Sequence, residues 1–105
     1  MVGRIYLAKI YFTDLSEYKI RPVLVLRVYG EDCLCLPLTS NLKHEGFSLG
    51  ANDLADGSLK KQSKVIFPKS FTLHRSILTK HIASVRQDIL STIHFEFCKK
   101  VECTV

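Results

Sequence analysis

The sequence predicts a mainly β fold: a small barrel of short strands closed by one C-terminal helix. Three observations carry that expectation. Most of the chain consists of short segments rich in β-branched and aromatic residues, separated by polar, glycine-bearing turns. Two of these segments flank a tight Gly30-Glu31-Asp32 turn, as an antiparallel hairpin requires. The apolar period then changes from two to about four at the C-terminal end, which marks a switch from strand to helix.

Residues 3–12 alternate Ile5, Leu7 and Lys9 against Tyr6, Ala8 and Ile10 and read as the first strand. Residues 13–19 are polar, with Asp14, Ser16 and Glu17, and read as a loop. Pro22 then opens the continuous apolar run 23–28, the composition of a strand buried on both faces. Its hairpin partner is 33–38. Residues 39–64 turn polar and carry Asn41, Gly46, Gly50, Asn52, Asp53, Asp56 and Gly57, so the expectation there is loop, with one short strand at 47–49. Residues 64–72 look extended, and 79–85 supply a last strand. In 87–101, Ile89, Ile93, Phe97 and Val101 recur every four residues beside Leu90, the apolar stripe of an amphipathic helix, with Ser84 and Gln87 as a candidate capping box. Five or six short strands in a mixed or antiparallel sheet with one helix suit a small barrel better than a parallel α/β architecture.

With 105 residues, 47% of them hydrophobic, the chain has the length and apolar content of one domain, residues 1–105. The richest apolar run, 23–26, meets Arg27 far short of the ~20 residues a membrane helix needs. Lys9 interrupts the apolar stretch near the N-terminus, so no secretory leader is expected and the cytosol is the predicted compartment. Cys33 and Cys35 lie two apart in a strand and point to one face, an awkward geometry for a disulfide. Neither their spacing nor that of Cys98 and Cys103 matches a zinc knuckle, and buried, free thiols are the better reading. The net charge of +5 favours an anionic partner such as a phosphate backbone, a weak signal without motifs.

Motifs sharpen it. Gly3-Arg4-Ile5, the polar loop Thr13-Asp14-Leu15, and Arg21-Pro22 heading Val23-Leu24-Val25-Leu26 resemble the opening half of the MazF/PemK toxins in residue type and order. Pro37-Leu38-Thr39-Ser40, ending the second hairpin strand, continues the likeness. The second half is also similar, with Gly46-Phe47-Ser48-Leu49, Asp53-Leu54, Ser63-Lys64-Val65 and Phe71-Thr72-Leu73. The resemblance implies an SH3-like barrel of the CcdB/MazF/PemK type, a homodimer and no cofactor or metal. It also implies cleavage of single-stranded RNA, restraint by a cognate antitoxin, and contact with operator DNA only as a toxin–antitoxin complex. No membrane partner follows from it.

Metal-free RNA cleavage uses the neighbouring 2′-hydroxyl as nucleophile and leaves a 2′,3′-cyclic phosphate and a 5′-hydroxyl. Its transition state carries more negative charge than the substrate. The resemblance puts Arg21 at that charge, because a guanidinium can hold two phosphate oxygens at once and stays protonated. Thr39 ends the partner strand, so hairpin pairing brings its hydroxyl near Arg21, with Ser40 beside it. Where some family members carry an Arg and an Asp, this chain has Ile66 and Pro68. The candidates left for proton transfer are Asp14, Glu17, Lys19 and His44. His74, His81 and His94 read as surface or packing residues. Candidates for RNA contact are Tyr18, Asn41, Ser40 and Phe47 for splayed bases, and Lys60, Lys61, Lys64 and Lys69 for the backbone. Core or dimer packing is the stronger reading for Phe47. The competing class is a non-catalytic binding module on the same barrel, a CcdB-like or degenerate toxin acting through protein partners. A translational SH3-like RNA-binding protein ranks last, because few aromatics are placed to stack bases across an open sheet.

Overall fold

The computed structural model describes residues 1–11, 17–67 and 69–101. Eight strands run β1 (Arg4–Tyr11), β2 (Tyr18–Tyr29), β3 (Asp32–Thr39), β4 (Phe47–Leu49), β5 (Leu54–Gly57), β6 (Ser63–Val65), β7 (Phe71–His74) and β8 (Leu78–Val85), followed by helix α1 (Gln87–Lys100). The sheet order is β4-β6-β3-β2-β1-β8-β5, with β7 also pairing β3, and every pairing is antiparallel. With 53% of the described residues in strands, this is a nearly closed antiparallel barrel with one C-terminal helix.

The expected hairpin is the centre of it. Residues 23–26 are all buried, and their side chains divide between two clusters as a strand covered on both faces must. Leu24 and Leu26 join Ile5, Leu36 and Val65 in the main core, sealed by Leu90, Ile93 and Phe97 of α1. Val23 and Val25 join Ala8, Cys33 and Cys35 on the opposite face, beneath Tyr6, Leu73, Ile77 and Leu78. Cys33 and Cys35 thus share one face and are free, buried thiols. Gly30 takes φ +62 in the two-residue turn joining Tyr29 to Asp32, a left-handed conformation glycine adopts without steric cost.

Several expectations need correction. Eight strands form among the described residues, not five or six, because strands of three and four residues give almost no alternation to read. Of the 13–19 segment read as loop, residues 13–16 lie outside the described residues, and Tyr18 and Lys19 belong to β2, paired with Tyr11 and Ile10. Pro22 therefore sits inside β2. It is tolerated because pairing to β3 starts one residue later, at Val23↔Pro37, leaving that edge unpaired over Tyr18–Pro22. The 39–64 region holds a second strand, β5, a nearly exposed edge strand beside β8. The 64–72 stretch is two strands, β6 and β7, which pair with different parts of β3. Ser84 does not cap α1. It lies in β8 with its hydroxyl on His81, and Arg86 is the N-cap residue with no side-chain cap bond. Arg86 instead grips Asp88 in the first turn and donates to the Asn52 carbonyl, tying the helix start to the segment before β5. Val101, read as part of the helical stripe, follows the helix and is 41% exposed.

Candidate functional site

A cleft of about 570 Å³ opens where β1, β2, β3 and β8 meet the segment after β5. Arg21 and Pro22 of β2, Thr39 and Ser40 at the end of β3, and Leu7 of β1 form one side of its lining. Ser58, Leu59, Lys60 and Lys61 form another, and Lys80, His81 and Ile82 of β8 a third. The cleft is basic, with Arg21, Lys60, Lys61 and Lys80 all among its lining residues.

The hairpin explains how Arg21 and Thr39 meet. The β2–β3 register runs Val25↔Cys35, Leu24↔Leu36, Val23↔Pro37 and ends there, so Arg21 and Thr39 lie just beyond the last paired residues, and both line the cleft. On its other side Arg21 pairs with Ala8 of β1. Arg21 is exposed and forms no ion pair or hydrogen bond among the described residues, so its guanidinium is available to a ligand. The Thr39 hydroxyl oxygen accepts a hydrogen bond from the Asn41 amide at 3.1 Å. An acceptor bond of that kind fixes the oxygen and leaves the hydroxyl proton free to donate. Asn41 is held in turn, its side-chain oxygen accepting from the Lys43 amide at 3.1 Å.

The wall carrying Lys60 and Lys61 is positioned by backbone packing. Gly57 sits at φ +73 directly against β8, where a Cβ would come within 2.2 Å of the Ile82 carbonyl oxygen and 2.6 Å of the Ala83 Cα. Only glycine allows this approach. Ser63, buried at the far end of the loop, donates its hydroxyl to the Lys61 carbonyl at 3.0 Å.

The remaining sequence candidates scatter around this cleft. Tyr18 lies on the face of β2 that continues from Pro22 through Ile20, its ring 5.6 Å from that of Tyr11 and tilted to it by 53°, with the Lys9 ammonium 5.1 Å from its ring centre. Lys19 is exposed on the opposite face of β2, and Glu17 is exposed just before the strand. His44 is engaged through its backbone: its carbonyl accepts from the Lys64 ammonium at 3.1 Å. Phe47 packs against the main core, and together with Lys64 it lines a separate groove beside α1. Lys69 is exposed between β6 and β7 and is not among the residues lining the cleft. Asp14, Pro68 and Cys103 lie outside the described residues, while Ile66 is half-buried and donates its amide to the Pro37 carbonyl at 2.9 Å.

The histidines separate into different environments. His74 caps the turn after β7, accepting from the Ser76 amide at 3.2 Å. His94 on α1 lies 3.3 Å from the Arg27 guanidinium. His81 lines the cleft, a placement that sequence reading missed, and Lys80 was missed with it. Both depend on β8 pairing with β1 across more than 70 residues of chain, with two register shifts in the pairing, and neither carries a local signal.

No group of three or more His, Cys, Asp or Glu side chains among the described residues is arranged to hold a metal ion. No helix among the described residues is long and apolar enough to cross a membrane. Among curated proteins none matches the chain. The family model of PemK-like, MazF-like toxins of type II toxin–antitoxin systems, in contrast, matches residues 2–99. That match runs through every strand and nearly the whole of α1, and the chain belongs to this toxin family.

Proposed function

We propose that this toxin is a sequence-specific, metal-independent endoribonuclease that cuts single-stranded RNA and so inhibits translation and growth. The observation that carries the reading is the convergence of Arg21, Thr39 and Ser40 with Lys60, Lys61 and Lys80 on one open basic cleft. In this reading Arg21 clamps the scissile phosphate and stabilises the charge that builds on its oxygens, while Thr39 donates to the same group. The lysines hold the flanking phosphates, and the Tyr11–Tyr18 pair offers stacking faces to unpaired bases. The nucleophile is the substrate's own 2′-hydroxyl, so the chemistry places no demand on a metal. A non-catalytic binding module would bury Arg21 against a carboxylate, whereas Arg21 is exposed in the cleft, which favours the nuclease.

A type II toxin has a cognate antitoxin. We place the antitoxin's binding segment over this cleft, the protein in the cytosol as one toxin domain, and two copies in a homodimer whose paired clefts lengthen the RNA track. Operator DNA is engaged only through the toxin–antitoxin complex.

The test is cleavage of a long unstructured RNA by variants. Arg21→Ala is expected to lose about 10²–10³ in rate with its circular dichroism unchanged, Arg21→Lys to recover little, and Thr39→Ala to fall less. Arg21→Ala cutting as fast as wild type would remove the site assignment.

A further inference from the structure

We propose that His81 is the general base of this cleft, accepting the proton of the attacking 2′-hydroxyl on Nδ1; the inference rests on the nuclease reading above. Neither the sequence candidates for proton transfer nor the family's chemistry led to this residue. It emerges from the pairing of β8 with β1.

His81 shares the cleft lining with Arg21 and Thr39. Strand β1 lies between their strands: Ala8 pairs with Arg21, and Tyr6, two residues earlier, pairs with His81. Ordinary sheet spacings then separate Arg21 and His81 by about 12 Å between Cα atoms, a span that a long guanidinium side chain and an imidazole bridge through one bound phosphodiester. The other positions weighed for proton transfer are less favourable. Glu17, Lys19 and His44 are not among the cleft-lining residues.

The surroundings of the ring assign its two nitrogens. Nε2 lies 3.0 Å from the Ser84 hydroxyl oxygen and 4.0 Å from Oδ1 of Asp56, which sits across β5–β8 as the register partner of Ser84. A carboxylate on that side favours the tautomer with its proton on Nε2, leaving the lone pair on Nδ1. Nδ1 has no partner among the described residues. The Tyr6 ring, 5.5 Å away and tilted by 46°, fixes the plane of the imidazole from the β1 side. Its side chain is 35% exposed, enough for substrate to reach it. The charged and titratable groups around it are Asp56 from β5, Tyr6 from β1, Lys80 from its own strand, Arg21 from β2, and Lys60 and Lys61 from the opposite wall.

The step balances without any further reactant except water. The 2′-hydroxyl proton passes to Nδ1 as the 2′-oxygen forms its bond to phosphorus and the bond from phosphorus to the 5′-oxygen breaks. The departing 5′-oxygen takes a proton from solvent, and the imidazolium afterwards returns its own. Asp56 does not touch the substrate; it is a positioning residue that holds the ring and stabilises the imidazolium as it forms.

Cleavage by wild type, His81→Gln, Asp56→Asn and Arg21→Ala across neutral pH tests this. His81→Gln is expected to cut 10²–10⁴-fold more slowly. It should also lose the acid-side fall in rate that protonation of a base imposes, and added imidazole should partly rescue His81→Ala. Asp56→Asn should fall less and keep that acid-side limb. A substrate whose bridging 5′-oxygen is replaced by sulfur needs no proton on its leaving group, so the His81→Gln defect should persist on it. Restoration of the wild-type rate there would make His81 the acid and overturn the assignment. A His81→Gln enzyme with unchanged rate and pH profile, while Arg21→Ala is crippled, would overturn His81 alone. A wild-type protein that never cuts would overturn the nuclease reading and this inference together.

Discussion

Replacing Gly57 by alanine should both destabilise the barrel and disturb the cleft, because the β5–β8 approach at this residue leaves no space for a Cβ. The added Cβ would lie 2.2 Å from the Ile82 carbonyl oxygen, whereas carbon and carbonyl oxygen ordinarily come no nearer than about 3.3 Å. The two backbones must therefore part by roughly 1 Å, and neither can yield as a side-chain tip would. A left-handed φ of +73 adds about 1–2 kcal/mol for any residue with a Cβ. Loss of one ladder hydrogen bond at the end of β5 adds about 1 kcal/mol. The sum is about 2–3 kcal/mol, read as a lowered urea midpoint with the slope unchanged. Since Ser58–Lys61 follow directly, affinity for a non-cleavable RNA should fall as well. A Gly57→Ala protein with an unaltered urea midpoint would refute the argument that this contact fixes the cleft wall.

Two further outcomes follow from the packing. Ile93, fully buried where α1 seals the core, should cost about 2–5 kcal/mol on truncation to alanine in the same urea assay, and a loss below 1 kcal/mol would mean that the helix does not close the barrel. Burial pushes the Cys35 thiol from 9.0 up to about 12, with the neighbouring Cys33 adding to the rise, and burial raises Cys33 too. Between those values the unfolded chain releases thiol protons that the folded chain keeps, so stability is full below 9.0 and declines as pH climbs toward 12. Cys35→Ala should flatten that decline in thermal melts; an unchanged slope would assign it to other groups.

The parts of the fold legible from residues are those with a strong period or a strong turn. The 23–26 run, the Gly30 turn and the Ile89, Ile93, Phe97 stripe were readable because each determines its own local structure. Strand β5 was not, because Leu-Ala-Asp-Gly is an exposed edge with a single half-buried residue and takes its conformation from β8. Ser84 shows the same limit from the other side: a serine three residues before Gln87 suits a capping box, yet the pairing of β8 claims it. In the cleft, Arg21 and Thr39 were readable as motif residues at the open end of one hairpin, and Lys60 and Lys61 as a charge pair in a polar loop. Their assembly with Lys80 and His81 depends on closing β8 onto β1, a contact no window of sequence reveals.

The account's central claim is tested most directly by incubating purified wild-type protein with a long unstructured RNA in EDTA and analysing the ends of the fragments. The account predicts cuts at a short recurring sequence, each leaving a 2′,3′-cyclic phosphate and a 5′-hydroxyl. Cleavage that appears only on adding magnesium or manganese, or RNA that stays intact under every condition, would contradict it.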